Sequence, residues 1–116
     1  MDVEIKKIEP HSRGTIYTCL VSGDQLEVLF LSHAMERIKK WGINDTIVAE
    51  TLVLPEEVLV GHGNRYIAQK RYGLHIVRAV YEYEKELPVL ITVYFPYSER
   101  YFKGGGIYEN KIFRRR

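Results

Sequence analysis

Between Val58 and Val80 the chain has no aspartate or glutamate, yet it carries Arg65, Lys70, Arg71, Arg78, His62 and His75. Cations and imidazoles gathered without a neighbouring acid in the sequence suit a phosphodiester better than a peptide or a sugar. Cysteine is also scarce: Cys19 stands alone, so no internal disulfide can form, and its apolar neighbours predict a buried thiol. No run of 18 apolar residues exists, which excludes a transmembrane helix. Met1 to Pro10 is charged throughout and lacks the apolar stretch of a signal peptide, so a cytoplasmic protein is expected. None of the four histidines, nor Cys19, has a ligand partner at C-x-x-C or H-x-x-x-H spacing. No metal site and no cofactor are expected. Gly104-Gly105-Gly106 is not a phosphate-binding loop, because no G-x-x-x-x-G-K pattern surrounds it. Asparagine and glutamine total only five against plentiful Ile, Val, Glu, Lys, Arg and Tyr, the bias that a thermophile produces.

What is present fits one domain with a modest core: 116 residues, 46% hydrophobic and 28% charged. The net charge of +2 is unevenly spread. Residues 1–31 hold three bases and five acids, whereas residues 87–116 hold six bases and two acids. Any attraction for a polyanion must therefore come from local patches.

Val3–Glu9 and Thr15–Val21 read as strands separated by Pro10, Ser12 and Gly14, and Ser22-Gly23-Asp24 as a tight turn into Leu26–Leu31. Ser32 is the expected N-cap of a helix running to Trp41, with Ala34, Ile38 and Trp41 on one stripe and Gly42 as its stop. Asn44 or Asp45 caps a second helix, ended by Pro55. Val58–Gly61, Arg65–Tyr72, Leu74–Glu84 and Leu87–Phe95 follow as strands, joined by loops too short for crossovers. Ser98–Phe102 is expected as a helical turn before a tail ending in Arg114-Arg115-Arg116. The expected class is α+β: two N-terminal helices packed on an antiparallel sheet of about four strands, preceded by an extra N-terminal β-hairpin. Within a single domain over 1–116, residues 1–31 hold the first strands, 32–96 the core and 97–116 the tail.

His33 and Arg37 lie one helical turn apart, so an imidazole able to move a proton and a guanidinium able to grip phosphate can converge. The plainer alternative is a surface or core histidine beside a solvated arginine. On the last strand Thr92 and Tyr94 share one face, while Val89, Ile91, Val93 and Phe95 fill the other. A two-residue turn near Tyr72-Gly73 sends Lys70 and Arg78 to opposite faces, and a three-residue loop or bulge brings them together. Both remain open at this level. Arg65, Arg71 and His75 complete the basic stretch as candidate RNA contacts.

The blocks Ser32-His33-Ala34-Met35-Glu36-Arg37, Trp41-Gly42-Ile43 and Leu54-Pro55 resemble a small prokaryotic domain family of unknown function with an S-x-H-A-x-x-R opening. Arg65-Tyr66-Ile67-Ala68-Gln69-Lys70-Arg71, Val77-Arg78-Ala79-Val80-Tyr81-Glu82 and Ile91-Thr92-Val93-Tyr94 are similar to its later segments, and Arg100–Gly105 to its tail. The likeness spans residues 28–113. Trp41 departs from the arginine common there. That family is regarded as related to the BrnT and RelE toxins, small ribonucleases of type II toxin–antitoxin systems. The resemblance implies metal-independent RNA cleavage through the 2′-hydroxyl and a small cognate antitoxin as partner. It points to His33, Arg37, Lys70, Arg78, Thr92 and Tyr94 as catalytic residues. The alternative class is a non-catalytic module that binds protein or RNA. A third, a purely structural subunit, requires the bases to pair with Glu82, Glu84 or Glu86. A homo-oligomer is left open.

Overall fold

Alternating β-branched and aromatic residues dominate both ends of the chain, and the two helices occupy the interval between them. The computed structural model describes residues 2–96, in the order β1 (Val3–His11), β2 (Gly14–Val21), β3 (Asp24–Leu31), α1 (Ser32–Trp41), α2 (Asp45–Val53), β4 (Glu57–Val60), β5 (Tyr66–Tyr72), β6 (His75–Glu84) and β7 (Leu87–Tyr94). The expected turn at Ser98–Phe102, the Gly104–Gly106 run and the Arg114–Arg116 tail lie outside the described residues.

The expected four-stranded antiparallel sheet is replaced by something larger. Among the described residues seven strands form one mixed sheet, in the order β1-β2-β3-β7-β6-β5-β4. The N-terminal strands are no appended hairpin. They form a three-stranded meander that joins the rest through a parallel pairing, Leu29 with Val89 and Phe30 with Leu90. The physical reason is visible in burial: Val28, Leu29 and Phe30 are all buried, as are Val89 and Leu90, so both strands need cover on both faces. Interior strands of a sheet satisfy that demand.

Ser32 is not a cap. The residue before α1 is Leu31, without a side-chain cap, and Ser32 instead donates from its amide (3.0 Å) and hydroxyl (3.3 Å) to the Arg13 carbonyl. That ties the β1–β2 turn to the start of the helix. Gly42 ends α1 in the left-handed region with φ 66°, as glycine permits. Ala34 and Ile38 are buried, but Trp41 is exposed beside Lys40, whose Nζ lies 5.4 Å from the ring centre. Asn44 caps α2 by accepting from the Thr46 amide at 2.7 Å.

α2 is apolar around most of its circumference, with Val48, Ala49, Thr51, Leu52 and Val53 all buried. It touches β1 on one side and β5 and β6 on the other. Those strands stand far apart in the sheet order, so the sheet curls around this helix. Its concave face supplies Tyr17, Cys19, Phe30, Ala68, Val77, Tyr81 and Val93 to the core. Cys19 is fully buried, and burial followed by the nearby Asp45 carboxylate pushes its thiol up to about 11. Tyr17 rests 4.2 Å from the Phe30 ring and donates to Asp45 at 3.0 Å. Burial and then that bond hold its phenol well above the ordinary value.

A shift in register between Val80 and Tyr81 changes which side chains of β7 face the core. Thr92 pairs with Val80, but Leu90 pairs with Tyr81. Leu90 therefore takes the inward place expected of Ile91, and Val89 turns to the far face with Glu82.

Candidate functional site

The sheet divides the residues named from the sequence. Gly73 and Leu74 make a two-residue turn between the paired Tyr72 and His75, which sets Lys70 opposite Val77 and Gln69 opposite Arg78. Lys70 and Arg78 consequently point to opposite faces. Arg78 is in turn opposite Tyr94 on β7, and Thr92 lies two residues before Tyr94 on the same face. Arg78, Thr92 and Tyr94 are thus brought together on the face away from α2. Lys70 is not with them.

On the helix face Lys70 Nζ lies 3.1 Å from Glu50 Oε1, and the Tyr72 hydroxyl donates to the same oxygen at 2.9 Å. Burial alone would raise the Glu50 carboxyl. The bonds from Lys70 and Tyr72 outweigh it and hold the group below the usual glutamate range. Burial and then the Glu50 bond push the Tyr72 phenol upward. His75, on this same face, stacks on Phe95 with ring centres 4.5 Å apart.

His33 and Arg37 form a third place, on α1. Arg37 Nε donates to His33 Nε2 at 3.5 Å, the long limit of a hydrogen bond, and among the described residues no carboxylate binds either. His33 is exposed and Arg37 half-buried. Neither makes a hydrogen bond or ion pair with Lys70, Arg78, Thr92 or Tyr94.

The acid-free stretch in the sequence is not acid-free in space. Glu50 reaches Lys70, Glu56 accepts from the Arg71 amide at 2.6 Å, Glu57 accepts from Gln69 at 2.8 Å, and Glu82 meets Arg65 at 3.3 Å. Every one of these acids flanks Val58–Val80 in sequence and returns to it by strand or helix packing. Arg65, expected as an RNA contact, is thus held by a carboxylate. Arg13 is gripped by Glu84 in a forked pair at 2.7 and 2.8 Å. That bond leads the causes that lower the Glu84 carboxyl and raise the Arg13 guanidinium.

Two members of the far-face cluster escaped the sequence reading. Registers align Glu57, Gln69, Arg78 and Tyr94 as one polar row across β4, β5, β6 and β7. Glu57 (1% exposed) and Gln69 (0%) form the closed end, and Tyr94 (44%) the open end. Gln69, between Ala68 and Lys70, carries no signal of its own in the sequence, and only the register shows that it meets Arg78. Among the described residues no three His, Cys, Asp or Glu side chains gather to hold a metal ion, and no helix is long and apolar enough to cross a membrane.

This far-face row sets a guanidinium and a phenol toward its open end and a carboxylate at its closed end. Comparison with protein-family models, with curated proteins and with solved structures finds no match to the chain.

Proposed function

We propose that the protein acts on RNA as a metal-independent endoribonuclease of the type II toxin class, with its chemistry on the far face of the sheet. The observation that carries this reading is the direct pairing of Arg78 with Tyr94, with Thr92 on the same face. Directly opposed strand residues have Cβ atoms about 5 Å apart, so a guanidinium and two hydroxyl-bearing side chains share one patch of the far face.

In this reading the ribose 2′-oxygen bonds to phosphorus as the bond to the 5′-oxygen breaks, leaving a 2′,3′-cyclic phosphate. Arg78 stabilises the added negative charge on the phosphorane, the kind of effect that usually dominates such catalysis. Tyr94 delivers its phenolic proton to the departing 5′-oxygen. Thr92 orients a phosphate oxygen. Lys70, bound to Glu50 on the other face, takes no part. His33 makes no hydrogen bond with Arg78, Thr92 or Tyr94, and in this reading the 2′ proton passes to hydroxide from solvent. Cleavage should then rise about tenfold per pH unit through the neutral range, as hydroxide does. A small antitoxin remains the partner that the toxin class implies.

The test is incubation of purified protein with a labelled RNA oligonucleotide in a chelator, warm as well as at room temperature. Products ending in cyclic phosphate, lost in Tyr94→Phe, support the reading. Intact RNA under all conditions contradicts it.

A second reading, a non-catalytic RNA-binding module, is favoured by α1. His33, Arg37, Lys39 and Lys40 line that helix, and among the described residues no carboxylate binds His33 or Arg37. Binding that weakens steeply with salt while RNA stays whole would select it.

A further inference from the structure

The parallel junction of β3 with β7 is two pairs long, Leu29 with Val89 and Phe30 with Leu90. The next pair back along both strands would be Val28 with Pro88, and proline has no amide hydrogen to continue a ladder. The strands part there. From that point β3 runs back to its start paired with β2 alone: Glu27 with Thr18, Leu26 with Cys19, Gln25 with Leu20 and Asp24 with Val21. One edge of residues 24–27 thus carries backbone groups that no strand among the described residues meets. Between the parted strands lies a cleft of about 490 Å³, walled by Leu26 and Glu27 on one side and by Tyr83, Leu87 and Pro88 on the other. Glu86, in the β6–β7 turn, also lines it. Leu26 is opposite the core residue Cys19, and Tyr83 is two residues from the core residue Tyr81, so both turn inward. Glu27 faces the other way with Thr18. Glu27 and Glu86 are exposed, and neither takes part in an ion pair among the described residues. Charges commonly guard a strand edge at the rim of a sheet. This edge differs in facing a second wall across a gap that is apolar on one face and acidic on the other.

We propose that this cleft docks an extended segment of a partner protein in which apolar and basic residues alternate. The segment pairs with the open edge of β3 as an added strand, a mode in which backbone bonds give affinity and alternate side chains give specificity. An apolar side chain enters between Leu26 and Tyr83, and the Lys or Arg beside it meets Glu27 or Glu86. The open edge makes the site, and the two carboxylates set the sign of the partner's charge. The cleft lies at the Leu87 end of β7, away from Tyr94, so docking there is independent of any action on RNA.

The probe is a capped peptide, Lys-Val-Lys-Val-Lys, titrated at low salt into the full chain and followed by backbone amide NMR and amide exchange. Signals of residues 24–27 should shift, and their outward amides should exchange more slowly. Those of β1 and β4, the two outer edges of the sheet, should stay as they were. The counterpart Glu-Val-Glu-Val-Glu should not bind. Two analogues carry N-methyl groups, one on the valine amides and one on the lysine amides. The analogue whose methyl groups face β3 should bind about tenfold more weakly, having lost backbone hydrogen bonds. Glu27→Gln/Glu86→Gln should melt like the wild type and bind the lysine peptide about threefold to tenfold more weakly. Full affinity in both methylated analogues overturns the proposal, as does equal binding of the lysine and glutamate peptides. Signals that move at β1 or β4 in place of β3 overturn it too. Outward amides of residues 24–27 already protected without peptide mean that the chain itself or a second copy fills the cleft, which also overturns it. No binding at all removes the docking site and leaves the reading of Arg78 and Tyr94 untouched.

Discussion

Replacing Lys70 with methionine separates a structural role from a catalytic one. Lys70 and Glu50 keep only 23% and 24% of their side-chain surface exposed, and Glu50 also accepts from Tyr72. A fully exposed pair would contribute about 0–1 kcal/mol. A hydrogen bond to a charged group in a sheltered place is worth about 1.5–3 kcal/mol. The pair lies nearer the second case, so Lys70→Met should cost about 1–3 kcal/mol. For a domain of this size that corresponds to a fall in melting temperature of about 4 °C per kcal/mol. The loss should also be pH-dependent. Glu50 is held below its ordinary range in the folded state. Its contribution is therefore complete above the unfolded glutamate value of about 4.3 and disappears as pH falls through the lowered folded value. Melting followed by circular dichroism from pH 7 to pH 3 should show wild type and Lys70→Met converging at the acid end. The folded variant should retain its activity on RNA. An unchanged melting temperature at pH 7 together with lost activity would refute the structural assignment.

Other outcomes follow from single contacts. Gly14→Ala should destabilise the fold by about 3 kcal/mol, seen as a lower denaturant midpoint, because a Cβ there collides with the Phe30 carbonyl oxygen. Cys19, buried and with its thiol raised to about 11, should resist a thiol reagent at pH 8 until denaturant is added. Glu84→Gln should release Arg13 and loosen the β1–β2 turn, detectable as faster amide exchange at Arg13, with little change in global stability because the pair is exposed.

The elements were largely legible in the sequence and their assembly was not. The stop of α1 at Gly42, the Asn44 cap of α2 and its end before Pro55 follow from local chemistry, which acts within a few residues, whereas Ser32 binds the distant Arg13 carbonyl and is no cap. The parallel junction of β3 with β7 joins residues about 60 positions apart, and nothing local encodes it. Its trace was the apolar run Val28–Leu31, which a one-sided hairpin could not cover. Arg78, Thr92, Tyr94 and Lys70 were readable as candidates, but their faces depended on a two-residue turn at Gly73-Leu74 and a bulge on β7. A shift of one residue in either would have regrouped them. Glu57 and Gln69 matter only through cross-strand register, so they could not be selected beforehand.

That the sheet divides the candidate residues, with the chemistry on the far face, is best tested by single-turnover cleavage at saturating protein by Arg78→Met and His33→Ala. Arg78→Met should be slower by about 10²–10³-fold. His33→Ala, altered only on α1, should cleave at the wild-type rate once saturated. A His33→Ala variant that is inert beside an Arg78→Met variant of normal rate would contradict this account.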